Sequence, residues 1–155
     1  MAARSDLATR PAPFVLTLKM DGESFAALDA LRRRYYAPER NLVPAHVTLF
    51  YRLPGERARE IRLLAKTVAG RKPIEIASAE VKAMERGVAI SLRSPQLGAL
   101  REELAQEWSP WLGDEDRRGF RPHVTIQTTL DEAEAYRTRQ AIGRASCRER
   151  VCNDV

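Results

Sequence analysis

Cysteine is almost absent from this 155-residue chain, and its two cysteines, Cys147 and Cys152, both lie near the C-terminal end. The absence of cysteine from residues 1–141 favours a reducing compartment. Long apolar runs are also missing: the longest candidates, such as residues 14–18, fall far short of the roughly 18 residues needed to cross a bilayer. The N-terminal segment lacks the apolar core of a secretory leader. We therefore expect one globular domain in the cytoplasm, with no membrane span and no membrane partner.

Lysine is scarce as well, so arginine supplies most of the 26 basic residues that stand against 21 acidic ones. The resulting net charge of +5 is spread along the chain. Long-range steering would attract polyanions, but a dispersed charge of this size does not by itself predict nucleic-acid binding.

The C-terminal segment has an unusual sequence. Residues 142–151 (IGRASCRERV) look like one reading frame of a sequencing-adapter oligonucleotide carried into an assembled gene. We therefore interpret residues 142–155 as a non-native tail and residues 1–141 as the domain, the alternative being a genuine basic extension. Because both cysteines lie in this tail, their spacing is not interpreted as a metal pair or a disulfide.

The hydrophobic periodicity of the remaining chain predicts alternating strands and helices. The predicted strands span residues 14–20, 43–51, 74–84, 87–92 and 122–128, with a hairpin turn at residues 85–87. Helices are predicted to begin at Asp21-Gly22, after Pro54-Gly55, at Ser94-Pro95 and at Asp131. A polar loop is expected over residues 110–119.

The same order of elements occurs twice: strand, helix, strand with a histidine, helix. This order indicates an internal duplication. It predicts an α+β fold of two pseudo-symmetric lobes, in which two antiparallel or mixed sheets line a central cleft and the helices lie outside.

The chain has only two histidines, and each begins the same tripeptide, His46-Val47-Thr48 and His123-Val124-Thr125. From the Val and Thr content, a given histidine is followed by Val-Thr by chance in only about 0.3% of cases. Residues i and i+2 of a strand share a face. Each histidine should therefore point the same way as its threonine, with the valine facing an apolar layer.

Two imidazoles and two hydroxyls in one cleft suit the cleavage of a phosphodiester. Imidazoles titrate near neutral pH, so one can accept a proton from the attacking group while the other protonates the leaving oxygen. Thr48 and Thr125 can hold the non-bridging oxygens. A metal site is poorly supported, because two histidines without nearby acidic or cysteine ligands leave the coordination sphere short. The alternative is that the histidines are structural.

Two further residues are candidates for substrate contacts. Arg121 precedes His123 by two positions, so its charge can act at the phosphate, the alternative being a solvated arginine. Tyr51 is a candidate for stacking on a nucleobase, whereas Phe50 is expected in the core.

With its paired His-Val-Thr motifs, the sequence resembles the two-histidine (2H) phosphoesterase superfamily, and within it the 2′-5′ RNA ligase and RNA 2′,3′-cyclic phosphodiesterase family. The resemblance covers nearly all of residues 14–141. It implies opening of 2′,3′-cyclic phosphates to 2′-phosphates without metal or cofactor, with reversible 2′-5′ joining of RNA ends in some members. It also implies that His46 is the proton donor and His123 the proton acceptor, and that Thr48 and Thr125 bind the phosphate.

The expected partners are RNA ends or nucleotides with a cyclic phosphate, bound by a monomer. Two alternatives stay open: a non-catalytic RNA-binding or nucleotide-binding module, and a hydrolase of a small cyclic-phosphate metabolite. Members of the family normally continue past the last helix with further strand structure. That stretch is missing here, which we expect to lower stability and activity.

Overall fold

The computed structural model describes residues 10–150, which form an α+β fold of five strands and five α-helices. The strands are β1 (Phe14–Leu18), β2 (Val47–Leu53), β3 (Ser78–Met84), β4 (Gly87–Arg93) and β5 (His123–Thr128). The helices are α1 (Gly22–Tyr35), α2 (Ala58–Ala69), α3 (Pro95–Glu107), α4 (Asp114–Arg117) and α5 (Glu132–Arg150). Apart from α4, the predicted order of strands and helices is confirmed. No helix within residues 10–150 is long and apolar enough to cross a bilayer.

Three predicted helix starts are confirmed by their capping side chains. Asp21 accepts a hydrogen bond from the Ser24 amide at 2.8 Å, and hydrogen bonding with the Ser24 hydroxyl, followed by the Ser24 amide, lowers the pKa of the Asp21 carboxyl. Ser94 caps α3 in the same way, and Asp131 accepts from two amides in the first turn of α5. Each oxygen satisfies a donor that the helix itself leaves without a partner.

The largest differences from the predicted elements are two strand starts and one loop. The second strand begins at Val47 rather than at residue 43, because Pro44 has no amide to donate and the Ala45 amide donates to Asp29. The third strand begins at Ser78 rather than at residue 74, since the Glu75 carbonyl accepts from the Ser94 hydroxyl. The polar loop over residues 110–119 contains the short helix α4.

The strands form two antiparallel sheets within the described residues. The first sheet pairs β1 with β2, and the second has the order β3-β4-β5. The predicted hairpin therefore joins β3 and β4. Each histidine lies beside an antiparallel partner strand that precedes it in the chain.

Each sheet is covered in part by a helix that follows a strand of the other sheet. Helix α3, which follows β4, packs on the first sheet through a buried cluster (Leu49, Phe50, Leu53, Leu97, Leu100, Leu104). Helix α1, which follows β1, packs on the second sheet beside another buried cluster (Val88, Ile90, Val124, Ile126), with Leu28 and Leu31 against it. Val47 of β2 belongs to this second cluster, and β2 contacts β5. The two histidine-bearing strands thus share one core.

We expect Gly87→Ala to destabilise the protein, because Gly87 has φ +132°, where an L side chain is strained. A Cβ there would also overlap the Gln127 carbonyl of the neighbouring strand. Strain of this kind costs about 1–3 kcal/mol, measurable by urea unfolding. The control is Gly98→Ala in α3, where a Cβ meets nothing within 4 Å and alanine should stabilise by about 0.5–1 kcal/mol. If Gly87→Ala unfolded at the same urea concentration as the wild type, the expected backbone strain would be contradicted.

Candidate active site

The two His-Val-Thr tripeptides occupy matching positions at the beginnings of two strands. His46 directly precedes β2, and His123 is the first residue of β5. Both histidines and both threonines are half-buried, whereas Val47 and Val124 are each 0% exposed and lie in the same cluster. The expected burial of the valine in an apolar layer is confirmed in both tripeptides.

A β-bulge follows the first tripeptide. Thr48 pairs with Thr17, but the next residue of β1, Leu16, pairs with Phe50, so Leu49 is an extra residue in β2. Leu49 and Phe50 both face the core. A bulge bends its strand and re-aims the side chains beside it, which is why bulges often lie next to active sites.

The second tripeptide is followed by a bulge at the same offset. Thr125 pairs with Ala89, but the next residue of β4, Val88, pairs with Gln127, so Ile126 is extra in β5. The extra residue is therefore the third after the histidine in both strands. The two motifs match in local backbone geometry as well as in sequence.

The imidazoles have the same hydrogen bond. His46 Nδ1 lies 2.8 Å from the Pro44 carbonyl oxygen, and His123 Nδ1 lies 2.8 Å from the Arg121 carbonyl oxygen. Because a carbonyl can only accept, Nδ1 must carry the proton in each ring, so a neutral ring presents the lone pair of Nε2. Both Nε2 atoms are thus prepared for proton transfer in equivalent ways.

Small side chains neighbour the second motif on its sheet. Ser91 pairs with His123, and Ala89 with Thr125. A cavity of about 1010 Å³ lies over this part of the sheet, and Arg121 and Lys82 are also in its lining. Its lining within residues 10–150 includes His123 but not Thr125, His46 or Thr48. A single cleft shared by both motifs therefore stays a prediction.

Two buried charged residues, Arg101 of α3 and Asp116 of α4, form hydrogen bonds with the backbone of β2. The Asp116 carboxylate accepts from the amides of Tyr51 and Arg52 at 2.8 and 2.9 Å. Arg101 donates at 2.7 Å to the carbonyls of both Leu49 and Asp116. Burial lowers the pKa of Arg101, and the nearby Asp116 carboxylate acts in the opposite direction.

Two further buried charged residues, Asp29 and Arg32, lie on α1 and bond backbone groups near the motifs. Asp29 accepts from the Ala45 amide at 2.9 Å, directly before His46. Arg32 donates to the Val43 carbonyl at 3.1 Å and to the Thr125 carbonyl at 2.7 Å. None of these four charged residues is among those predicted from the sequence, although Asp29, Arg32 and Arg101 lie on the apolar faces of their helices.

The candidate aromatic residues divide as expected between core and surface. Phe50 is fully buried, and its ring packs edge-on against Trp108 with the centroids 5.0 Å apart. Tyr51 is 41% exposed, and its partial burial, followed by the charges of Glu115 and Asp116, raises the pKa of its hydroxyl. Stacking of a nucleobase on Tyr51 and contact of Arg121 with phosphate stay predictions.

No group of three His, Cys, Asp or Glu side chains within residues 10–150 is arranged to hold a metal ion. Cys152 lies outside the described residues. Helix α5 continues through residues 142–150, and Ile142 is buried in the second cluster. The interpretation of residues 142–155 as a non-native tail stays a prediction.

One family model matches the chain. It is described as the 2′-5′ RNA ligase superfamily and matches residues 20–152, a range that contains both tripeptides. No curated protein and no solved structure gives a significant match. The family match spans most of the chain, and the paired His-Val-Thr motifs indicate the same family. The chain therefore belongs to the 2′-5′ RNA ligase superfamily, that is, to the 2H phosphoesterases.

Proposed function

We propose that this protein opens 2′,3′-cyclic phosphates, on RNA ends or on nucleotides, to 2′-phosphates without a metal or cofactor. The observation that carries the proposal is the matched pair of imidazoles, in which each Nδ1 is engaged by a carbonyl and each Nε2 is left for proton transfer. The superfamily supports the same class of chemistry. A cytoplasmic monomer is the form in which we propose that it acts.

In the proposed reaction, His123 Nε2 accepts a proton from water while the water oxygen bonds to phosphorus. The bond between phosphorus and O3′ breaks, and His46, which enters the step as the imidazolium with a proton on each nitrogen, donates its Nε2 proton to O3′. Thr48 and Thr125 donate hydrogen bonds to the non-bridging oxygens, where negative charge is shared in the transition state. With a 5′-hydroxyl in place of water, the same steps form a 2′-5′ linkage.

The test is hydrolysis of a 2′,3′-cyclic mononucleotide by the full chain, with and without EDTA, with chromatography that separates the 2′-phosphate from the 3′-phosphate. We expect turnover that resists EDTA and gives only the 2′-phosphate, with kcat at least about 10²-fold lower for the His46→Ala/His123→Ala double variant. Turnover abolished by EDTA, or 3′-phosphate as product, would refute the proposal.

Two further comparisons separate the alternatives. Folded protein that binds 2′-phosphorylated RNA but hydrolyses neither the mononucleotide nor an RNA with a cyclic phosphate would indicate a binding module. Equal rates for mononucleotide and RNA across a salt series would favour a small-metabolite hydrolase, since phosphate contacts make RNA binding depend on salt.

We expect Thr48→Val and Thr125→Val each to lower kcat for cyclic-phosphate hydrolysis by about 10²-fold, the usual loss when one oxyanion donor is removed. Valine keeps the shape of threonine, so the fold should be retained. The control is Thr67→Val in α2, whose hydroxyl donates to the Leu63 carbonyl. Steady-state kinetics measures the effect, and a kcat as high in either motif variant as in Thr67→Val would refute the proposed phosphate contact.

A further inference from the structure

We propose that Arg32 and Arg101 are reciprocal positioning residues for the two His-Val-Thr motifs. Each buried guanidinium comes from the helix that follows a strand of one sheet, and each holds the bulged histidine strand of the other sheet. The catalytic part of this inference rests on the proposed function, whereas the structural part can be tested without it.

Arg32 connects the two motifs. Its residue is 5% exposed, and its guanidinium donates to Asn41 Oδ1 at 2.8 Å, to the Val43 carbonyl and to the Thr125 carbonyl. It also lies 4.0 Å from the centre of the Tyr36 ring. One side chain thus holds the segment that leads into the first histidine and the strand that carries the second.

Arg101 has the corresponding place on α3. Its residue is 6% exposed, and it donates to the carbonyls of Leu49 and Asp116. Its guanidinium lies 3.7 Å from the centre of the Phe50 ring. As Arg32 does in β5, Arg101 bonds a carbonyl at the bulge of the strand that it covers.

The carbonyls of Leu49 and Thr125 lie at the β-bulges, where the regular ladder of hydrogen bonds between strands is interrupted. Leu49 is the extra residue of the bulge in β2, and Thr125 directly precedes the extra residue of the bulge in β5. A bulge interrupts the ladder of hydrogen bonds, and a buried carbonyl without a partner is costly. A guanidinium has a rigid fork of five donors, so it can bond such a carbonyl and a second acceptor in a fixed geometry.

The bulge begins one residue after each threonine, so its conformation sets the direction of the hydroxyl and the imidazole. Lysine retains the charge but cannot reproduce the fork. Replacing either arginine with lysine should therefore displace the motif while leaving the side chains of the motif intact. Misplacement of reacting groups by about 1 Å costs about 10²-fold in rate.

The first test uses NMR of the imidazole nitrogens, because the chain has only two histidines. We expect Arg101→Lys to shift the signals of His46 but not those of His123. Arg32→Lys should shift both sets, since Arg32 bonds backbone on both motifs. The controls are Arg34→Lys on the exposed face of α1 and Ile61→Val, which removes one methylene from a fully buried side chain.

The second test is kinetic, on the cyclic mononucleotide. Each lysine variant should lower kcat by about 10²-fold while changing KM by less than about threefold, because the groups that touch substrate are all present. Ile61→Val should leave kcat unchanged even where it lowers the melting temperature. Lysine variants with wild-type imidazole signals and wild-type kcat, but lower melting temperatures, would reduce the arginines to a structural role and overturn the inference.

The two proposals fail in different ways. If the wild-type chain has no turnover but the imidazole signals shift as expected, the proposed function fails and the positioning of the motifs stands. If a lysine variant does not fold, exchange of the guanidinium protons with solvent in the wild-type protein decides. Both buried arginines should exchange much more slowly than Arg34, and equal rates would overturn the inference.

Discussion

Replacing either histidine with alanine is expected to lower kcat for cyclic-phosphate hydrolysis by about 10²–10⁴-fold, the usual contribution of a positioned acid or base. The loss should be similar for His46 and His123, because the two rings have equivalent hydrogen bonds and equivalent exposure. Single-turnover kinetics with each variant measures the loss on the chemical step.

The pH dependence of kcat/KM should distinguish the two roles. A pair of one acid and one base gives a bell-shaped profile for the wild-type protein. In the proposed assignment, His123→Ala removes the acidic limb of the profile and His46→Ala removes the alkaline limb. The reverse pattern would exchange the roles of the two histidines without changing the mechanism.

The His46→Ala/His123→Ala double variant is the control for the kcat losses of the two single variants. Residues that act as a unit are strongly non-additive, so the double variant should be little worse than either single one. A single variant that stays folded and retains wild-type kcat would contradict two-histidine catalysis.

The sequence predicted the motifs well because their signal is local. The valine between histidine and threonine faces the core in both strands, as the two-residue period of a strand requires. The repeated tripeptide identified the histidines before any contact was known. The beginning of β2 was predicted wrongly because it depends on Asp29, which lies 16 positions before Ala45 and takes its amide.

The bulges could not be predicted in this way. Leu49 and Ile126 are extra residues only with respect to their partner strands. Register depends on how two distant segments pair, so a single strand does not reveal it. The correspondence between the two bulges is a property of the paired strands, in which the extra residue is the third after each histidine.

The buried charges left a signal that was missed. In α1, Arg32 lies three or four positions from Leu28 and Tyr35, on the apolar face that these residues define. In α3, Arg101 lies between Leu97 and Leu104 in the same way. A charge on an apolar helix face is unusual unless it is paired. In a chain rich in arginine, composition alone does not distinguish such a residue from a solvated arginine.

The buried carboxylate of Asp116 gives the prediction with the largest expected effect on stability. We expect Asp116→Ala to lower the free energy of unfolding by about 3–5 kcal/mol, the range for removing one member of a buried ion pair. The change leaves the amides of Tyr51 and Arg52 without their acceptor. It also removes the carboxylate that lies 3.9 Å from the Arg101 guanidinium. Urea unfolding followed by circular dichroism measures the loss.

Two further variants show where the loss arises. Asp114→Ala changes an exposed acid of the same short helix and should stay within about 0.5 kcal/mol of the wild type. Asp116→Asn keeps the shape but presents one oxygen to two amide donors, so it should fall between the wild type and Asp116→Ala. If Asp116→Ala unfolded at the same urea concentration as Asp114→Ala, the carboxylate would not be what holds β2 beside its bulge. Since a domain of this size is stable by only about 5–15 kcal/mol, a loss of the expected size would show that the strand after His46 depends on a residue far from it in sequence.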